Sequence, residues 1–584
     1  MRLDPHPGAS RPGLWQGATP WETALFAALG VAITVGFLAW LWGQLAGLLF
    51  AGAWPDVSPV QAGGLLVRLP DHLGDPASAW PADVRSTLPG PVGFYATVAI
   101  LAVMCVGAAI AVRRVVGGGR RRGPRGAGRG RSRSSAWATR RDLAPLTVRE
   151  PSHGRLVLGR VGGRLVAAEP RQSVVVIAPT QSLKTTGLAI PALLEWQGPA
   201  VAVSVKSDLL RDTLARRRQL GQTFVYDPTG ATGVPSCGWT PLRACTTWQG
   251  AQRTSVWLAS AAQPRATGLA DADFWYAAAA KLLAPLLFAA ATSERSMGDV
   301  VRWVDTQEQD EVRKALLDAD VEPAYFAAEA TWKRDERQRS SIYTTTETVL
   351  AAYADPGVLA SSVCAELTPQ RLLDGGAHTA YLCASAHEQQ RLRPLFATLI
   401  QEIVAAVYDR ATATGQPLDP PLLVVLDEAA NIAPLRDLDT LASTAAGQGI
   451  QLVSVFQDLA QVSDRWGTRA ATIINNHRAK IIGAGLSDPD TLDYVARVLG
   501  DEEIRQVSST AGREGHGSTT ESTTYRALAP ANLVRENRPG TGLLVYGHLP
   551  PAQLELRPWF ADRALQRLAA GQVTVSQNEV EARR

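Results

Sequence analysis

The sequence predicts an α/β protein in which a mostly parallel sheet carries an all-helical insert and follows two transmembrane helices. Three observations predict it: two long uncharged runs near the N-terminus, apolar segments that alternate with helix-like segments after residue 141, and a wide separation between two polar motifs. The chain has 584 residues, of which 46% are hydrophobic, so it is too long for one core and too apolar to be disordered. Its five cysteines and eight histidines are scattered, which argues against a disulfide framework and a zinc cluster.

The N-terminal part predicts a membrane hairpin. Residues 25–49 and residues 92–112 are two uncharged apolar runs, each long enough to cross a hydrocarbon core of about 30 Å as a helix. Residues 113–133 contain nine arginines and no acidic residue, whereas the segment between the runs contains only Arg68 and Arg85. Because positive charge stays on the cytoplasmic side, we expect both termini in the cytoplasm and the loop outside. The arginine segment could also be a DNA-binding arm, but its place beside the membrane favours a topology signal and flexible linker.

Short apolar segments rich in β-branched residues predict the strands of the sheet. Because these segments alternate with helix-like stretches and are apolar throughout, a parallel sheet covered on both faces is expected. The predicted strands are residues 173–177, 200–205, 223–226, 379–384, 422–426, 450–456, 480–484 and 542–546.

A phosphate-binding loop is predicted between the first of these strands and the following helix. Strand, loop, Lys-Thr and helix is the order that a P-loop requires, because loop N–H groups and the lysine surround phosphate while the hydroxyl binds Mg²⁺. The pattern G-x-x-x-x-G-K-[ST] has alanine and leucine at its two glycine positions. The loop consists of Ala178, Pro179, Thr180, Gln181, Ser182, Leu183, Lys184, Thr185 and Thr186.

Two later strands end in polar side chains that suit the same site. Residues 422–426 are followed by Asp427 and Glu428, as in a Walker B strand, where the aspartate holds Mg²⁺ and the glutamate polarises the attacking water. Residues 450–456 are followed by Gln457, an amide that could sense the γ-phosphate. We therefore predict ATP and Mg²⁺ as ligands, Lys184, Asp427, Glu428 and Gln457 as catalytic residues, and Thr185 with Asp427 as the metal site.

The distance between Lys184 and Asp427 indicates an insertion, because adjacent β/α units would need far fewer residues. Residues 292–363 have helix-type spacing and no β-rich run, so they are predicted to form an inserted all-α domain. Residues 508–524, rich in Ser, Thr and Gly, are expected to be a mobile loop. The predicted divisions are a cytoplasmic segment 1–24, helix 25–49, extracytoplasmic loop 50–91, helix 92–112, basic linker 113–141, nucleotide-binding parts 142–291 and 364–567 around the insert 292–363, and a disordered tail 568–584.

Several motifs together resemble the type IV coupling proteins of conjugative DNA transfer, the TraG/TraD-like ATPases. They are A-P-T-Q-S-L-K-T-T from Ala178, S-V-K-S-D-L-L from Ser204, V-L-D-E-A-A-N from Val425, V-F-Q-D-L-A-Q from Val455 and I-I-N-N-H-R-A-K from Ile473. The resemblance implies a RecA-like motor that assembles as a homo-hexamer and a helical domain that faces the relaxosome. It also implies delivery of DNA with its relaxase to a type IV secretion channel at the cell membrane.

The chain departs from this family at two places. Leu183 replaces the glycine before the lysine, and the turn before the Gln457 strand has no arginine that could act on a neighbouring subunit's nucleotide. Substitutes for that arginine are Arg436, Arg465, Arg469 and Arg478. Two alternatives to the DNA-transfer motor stay open: a non-hydrolysing hexameric docking ring, and an FtsK-like double-strand DNA pump or protein-export motor.

Overall fold

The computed structural model describes residue 37 and residues 39–58, 68–100, 135–264, 272–511 and 517–572. The chain divides into two compact units, residues 1–131 and residues 132–584, and each is considered separately. Residues 113–134 of the predicted basic linker and most of each predicted transmembrane run lie outside the described residues.

The first unit contains two short apolar helices, α1 (Ala39–Ala51) and α2 (Pro91–Ile100). Short 3-10 turns lie between them, at Leu69–His72, Pro76–Ala79 and Arg85–Thr87. The Trp80 side chain is fully buried and its ring centroid lies 5.1 Å from that of Phe94 in α2. The Trp42 indole of α1 donates a hydrogen bond to the Phe94 carbonyl oxygen at 2.7 Å. The Trp40 indole of α1 donates a hydrogen bond to the Val57 carbonyl oxygen at 2.6 Å, so the described part of the predicted external loop packs against both helices.

The second unit is built on a twelve-stranded sheet. Its spatial order is β1-β3-β2-β14-β13-β10-β4-β9-β8-β5-β7-β6, and the seven strands from β10 to β6 are parallel neighbours. A separate antiparallel ribbon is formed by β11 and β12. The strands are β1 (Thr147–Val148), β2 (Val157–Val161), β3 (Arg164–Ala167), β4 (Val174–Ile177), β5 (Ala200–Ser204), β6 (Thr223–Tyr226), β7 (Thr379–Cys383), β8 (Leu422–Leu426), β9 (Ile450–Phe456), β10 (Ala479–Gly483), β11 (Asp501–Ala511), β12 (Gly517–Ala527), β13 (Thr541–Tyr546) and β14 (Ala552–Glu555).

Helices connect the strands and cover the sheet. A π-helical turn, Thr185–Ala189, precedes the first of them. The α-helices are α3 (Ile190–Glu195), α4 (Ser207–Leu220), α5 (Trp248–Ala262), α6 (Ala272–Thr292), α7 (Met297–Asp305), α8 (Asp310–Asp318), α9 (Glu322–Trp332), α10 (Glu336–Leu350), α11 (Pro356–Ser361), α12 (Pro369–Leu372), α13 (Gln389–Thr414), α14 (Ala429–Ile432), α15 (Leu438–Gln448), α16 (Leu459–Trp466), α17 (Ala470–Asn476), α18 (Pro489–Leu499), α19 (Ala531–Arg535) and α20 (Arg563–Ala569).

The parallel strands are buried on both faces because their successive side chains alternate between two apolar cores. Val175 and Ile177 belong to one core, while Val174 and Val176 belong to the other. All eight strands predicted from the sequence are present, with ends that differ by at most one residue. The prediction of a mixed α/β fold with a large parallel sheet is therefore confirmed.

Only α6 in the described part of the chain is long and apolar enough to span a membrane, and most of it is buried as a core helix.

Between β6 and β7 every described element is helical, from a 3-10 helix at Pro241–Thr246 to α12. The predicted start of the insert, residue 292, is the last residue of α6. One apolar core joins the sheet to these helices, since it contains Val175 of β4 and Trp303 of α7. The boundaries of the inserted domain stay a prediction.

The expectation of a mobile loop at residues 508–524 was wrong for the described backbone. β11 and β12 pair in register from Asp501 with Ala527 to Ala511 with Gly517. Residues 517–527 contain Thr519, Thr520, Thr523, Thr524 and Tyr525, and such β-branched and aromatic residues favour extended backbone. The high Ser and Thr content correctly indicated a polar segment, but it did not predict the strand pairing of the described residues. Of the predicted tail, Leu568 and Ala569 end α20, and residues 573–584 lie outside the described residues.

Candidate nucleotide-binding site

The predicted P-loop connects β4 to the π-helical turn and folds back on itself. The Lys184 ammonium donates a hydrogen bond to the Pro179 carbonyl oxygen at 3.0 Å, and the Ser182 hydroxyl donates to the same oxygen at 2.8 Å. Gln181 and Leu183 have positive φ angles of 63° and 64°, the left-handed region that glycine favours. Leu183 therefore adopts the backbone conformation that a glycine before the lysine would adopt. Thr180 and Gln181 are exposed, whereas Ser182 and Lys184 are buried.

The sheet brings the two predicted metal-binding side chains together. The Thr185 hydroxyl donates a hydrogen bond to Asp427 Oδ2 at 3.0 Å, across 242 residues of sequence. Asp427 directly follows β8 and is almost completely buried, and its Oδ1 atom has no hydrogen-bond partner among the described residues. Burial raises the pKa of the Asp427 carboxyl to about 6, although the Thr185 hydrogen bond and the Lys184 charge oppose this shift. A hydroxyl beside a carboxylate oxygen without a partner suits a hard divalent cation such as Mg²⁺.

Lys184 is buried beside this pair. Burial lowers the pKa of its ammonium, whereas the charges of Asp427 and Glu428 raise it, and the net shift is downward. A buried cation at the start of a helix, next to two carboxylates, is suited to neutralise an anion that enters the loop.

Glu428 and Gln457 lie at the same edge of the sheet, because both follow parallel strands at their carboxyl ends. Glu428 has a φ angle of 65°, is half-buried, and accepts a hydrogen bond from the Asn431 side chain at 3.5 Å. β9, which Gln457 follows, lies between β4 and β8. The Ala178 N–H donates to the Phe456 carbonyl oxygen at 3.0 Å, so Gln457 follows a residue that is bonded to the first loop residue. This places all the predicted catalytic residues around one edge.

Ser204 also lies beside Asp427, although the sequence did not predict it there. Its hydroxyl donates to Asp427 Oδ2 at 3.5 Å and accepts a hydrogen bond from the Lys206 N–H at 3.2 Å. Ser204 ends β5, the neighbour of β8 on the side away from β9. A polar residue at the carboxyl end of an apolar parallel strand is the signal that could have found it, because ligands of open α/β sheets bind at that edge.

The four arginines proposed to act on a neighbouring subunit differ in their surroundings. Arg478 pairs with Glu169 at 2.8 Å and lies over the Tyr546 ring at 5.5 Å. The other three arginines, Arg436, Arg465 and Arg469, line a common cavity of about 220 Å³. An intersubunit role for any of them stays a prediction.

Leu183→Gly is expected to preserve Mg-nucleotide binding, with an unchanged or lower Kd. A left-handed backbone costs a non-glycine residue roughly 1–2 kcal/mol, and glycine removes that cost without moving the loop. The leucine side chain lies close to Gly540: a Cβ atom built on Gly540 would be 3.2 Å from Leu183 Cδ1. Titration with a fluorescent ADP analogue measures the Kd. A Kd that rises tenfold would instead make the leucine a required packing element of the loop.

Comparison with known proteins gives one consistent family. The family model described as type IV secretory system conjugative DNA transfer matches residues 135–581. Conjugal transfer protein TraG of Agrobacterium fabrum is 26% identical over 413 residues, which cover 66% of this chain and 60% of that protein. Protein VirD4 of Rhizobium radiobacter is 23% identical over 416 residues, which cover 70% of this chain and 59% of that protein. The chain thus spans about 60% of the length of these curated relatives.

Solved structures share the fold of the second unit. The bacterial conjugative coupling protein TrwBΔN70 in its unbound form aligns with a TM-score of 0.57 and 19% identity, over 74% of this chain and 95% of that chain. TrwB in complex with ADP and Mg²⁺ aligns with a TM-score of 0.57 and 18% identity, over 75% of this chain and 97% of that chain. These alignments show that the chain shares the mixed α/β fold of these coupling proteins.

Proposed function

The chain belongs to the type IV secretory system conjugative DNA transfer family, and we propose that it is the membrane-anchored, ATP-hydrolysing coupling protein of such a system. In this proposal a ring of six copies receives DNA with its bound relaxase and delivers it to the secretion channel. The observation that carries the proposal is the Thr185–Asp427 hydrogen bond at the edge of the sheet where Lys184 and Glu428 also lie. It joins the hydroxyl of the loop to the carboxylate of a distant strand, as an Mg-nucleotide site requires.

Each residue has a separate role in the proposed reaction. The N–H groups of residues 180–186 and the Lys184 ammonium bind the phosphates, while Thr185 and Asp427 hold the cation. Bound Mg²⁺ supplies positive charge to the phosphate oxygens. Glu428 orients the attacking water and accepts its proton, and Gln457 contacts the terminal phosphate. The structure of TrwB with ADP and Mg²⁺ supports this ligand set, because that protein has the same fold.

The experiment that separates the motor from its rivals is ATP hydrolysis by the full chain in lipid nanodiscs. We expect Mg²⁺-dependent hydrolysis that DNA stimulates. A hexameric protein that binds nucleotide but shows no turnover with single- or double-stranded DNA would support the docking ring instead. Stimulation by double-stranded DNA alone, without any effect of the chain on conjugative transfer in a complemented deletion strain, would support the FtsK-like alternative.

The membrane anchor is supported by the surfaces of α1 and α2. Leu48, Leu49 and Phe50 of α1 and Val92 and Val98 of α2 are large apolar side chains that are exposed in this unit. Helix α1 lies at the end of the first uncharged run and α2 at the start of the second, so exposed apolar side chains on them suit contact with lipid. We therefore propose two spans with both termini in the cytoplasm.

A cysteine placed at Ser78 in a cysteine-free background is expected to react with a membrane-impermeant maleimide in intact cells. One placed at Ser134, after the arginine-rich segment, is expected to react only after the cells are opened. The arginine bias is the physical reason, since arginines resist translocation. The reverse labelling pattern would overturn the proposed orientation.

A further inference from the structure

The turn that follows the P-loop has an unusual backbone. Residues Thr185–Ala189 form a π-helical turn, in which the Ile190 N–H donates to the Thr185 carbonyl oxygen five residues earlier. Pro191 follows, and proline has no N–H to donate. The Gly187 carbonyl oxygen therefore lacks its α-helical donor, and the Thr186 carbonyl oxygen has neither an α-helical nor a π-helical donor left.

A distant segment supplies the missing donors. We call residues 556–559 the C-terminal strap; they follow β14 directly. The Trp559 N–H donates to the Thr186 carbonyl oxygen at 3.0 Å, and the Arg557 N–H donates to the Gly187 carbonyl oxygen at 3.1 Å. A Cβ atom built on Gly187 would lie 2.9 Å from Leu556 Cβ, so only glycine lets the strap approach this closely. The carbonyl groups that Pro191 leaves without donors are thus bonded by the strap.

The strap is also fixed at the far end of the same helix. The Arg557 guanidinium binds both carboxylate oxygens of Glu195, the last residue of α3, with Nη–Oε distances of 2.8 Å and 3.1 Å. Its Nε atom donates to Asp562 Oδ2 at 3.2 Å. The Arg557 and Glu195 side chains are 5% and 9% exposed. A buried bidentate pair of this kind has a fixed geometry, which makes the strap a rigid support for the helix.

We infer that the C-terminal strap positions the nucleotide site by holding open the π-helical turn that begins at Thr185, directly after Lys184. The π turn contains one more residue than an α-helical turn, so its conversion to an α-helix would rotate Thr185 relative to the rest of the helix. That rotation would move the Thr185 hydroxyl away from Asp427. Arg557 and Trp559 are not among the residues proposed to bind phosphate or metal, so they act as positioning residues. The inference rests on the proposed function, because it names what maintains the proposed site.

Pro191→Ala in the full chain, reconstituted in nanodiscs, tests the inference. Alanine restores an N–H that can bond within the helix, so the turn can close to an α-helix without the strap. We expect thermal stability to be equal or higher, while the affinity for Mg-ADP and the rate of ATP hydrolysis fall about tenfold or more, as for a small misplacement of catalytic groups. Pro356→Ala is the matched control, because Pro356 occupies the first position of α11, where an N–H has no helical acceptor.

A second variant addresses the strap itself. Gly187→Ala crowds Leu556 and is expected to weaken Mg-ADP binding in the same direction, and Leu556→Ala in that background is expected to restore part of the affinity. Wild-type affinity for Mg-ADP in both Pro191→Ala and Gly187→Ala would overturn the inference. Binding of Mg-ADP is measured without turnover, so a wild-type chain that binds nucleotide but does not hydrolyse ATP contradicts the proposed function while the strap is still tested.

Discussion

Glu428→Gln is expected to bind Mg-ATP about as well as the wild-type chain and to hydrolyse it roughly 10²-fold more slowly or worse. The amide has the shape of the carboxylate but cannot accept a proton from the attacking water. Among the described residues the Glu428 side chain has one weak hydrogen-bond partner, the Asn431 amide at 3.5 Å, so its replacement removes little structural support. Steady-state phosphate release measures the rate, and a fluorescent ATP analogue measures binding.

Lys184→Ala is the companion variant, and it should lose binding as well as turnover, because the ammonium offsets phosphate charge in both states. The matched control for the acid is Glu536→Gln, a surface glutamate whose ion pair with Arg535 is exposed. A Glu428→Gln protein with wild-type turnover would remove Glu428 from the reaction. If Glu428→Gln lost both nucleotide binding and stability, Glu428 would be a structural residue.

The parallel sheet could be predicted because each of its strands is recognisable from the residues of that strand alone. Strands such as residues 422–426 and 450–456 are uniformly apolar and short, and the carboxyl ends of parallel strands lie at one edge. That rule is enough to bring Lys184, Asp427 and Gln457 together once the strands are recognised. The spatial order, with β9 between β4 and β8, depends on long-range packing that no single segment encodes.

The features that escaped prediction are backbone interactions between distant segments. The strap bonds to Thr186 and Gly187 through main-chain N–H groups, which every residue except proline carries, so its side chains give no signal of the contact. β14 and β2 are short and partly polar, as expected at the antiparallel end of a sheet. The β11–β12 ribbon has the hydroxyl-rich composition of a loop, but its threonines also have high β-propensity, which agrees with the observed pairing. Leu183 shows the same limit, since its glycine-like φ is visible only in the structure.

Substitution of Asp427 is expected to have opposite effects on activity and on stability. Asp427→Asn should reduce Mg²⁺-dependent hydrolysis roughly 10²-fold or more, because the amide loses the charge that holds the cation. In the absence of Mg²⁺, the same substitution should stabilise the protein at pH 8. The Asp427 carboxylate is buried with one oxygen lacking a partner among the described residues, and an ionised group in that position is costly.

The pKa of Asp427 determines whether Asp427→Asn raises or lowers the stability of the protein at a given pH. Burial raises the pKa of Asp427 from 3.8 to about 6, so the fold favours the neutral carboxyl. Ionisation of Asp427 lowers the free energy of unfolding. This loss of stability is absent below about pH 4, grows between pH 4 and pH 6, and is fully present above pH 6, where it amounts to about 3 kcal/mol. The asparagine variant should therefore melt at a higher temperature than the wild-type chain at pH 8, with a difference that shrinks toward pH 4.

Thermal melts at pH 8 and pH 5, with EDTA or with excess Mg-ADP, measure both parts of the effect. Mg-ADP should raise the melting temperature of the wild-type chain much more than that of Asp427→Asn, since a ligand stabilises only the state that binds it. Asp437→Asn is the matched control, because the Asp437 side chain is largely exposed and its contact with the Arg469 guanidinium is long, at 3.6 Å. An Asp427→Asn protein that is less stable than the wild-type chain in EDTA at pH 8 would show that Asp427 is a structural anchor. Unchanged hydrolysis would show that the cation is held elsewhere.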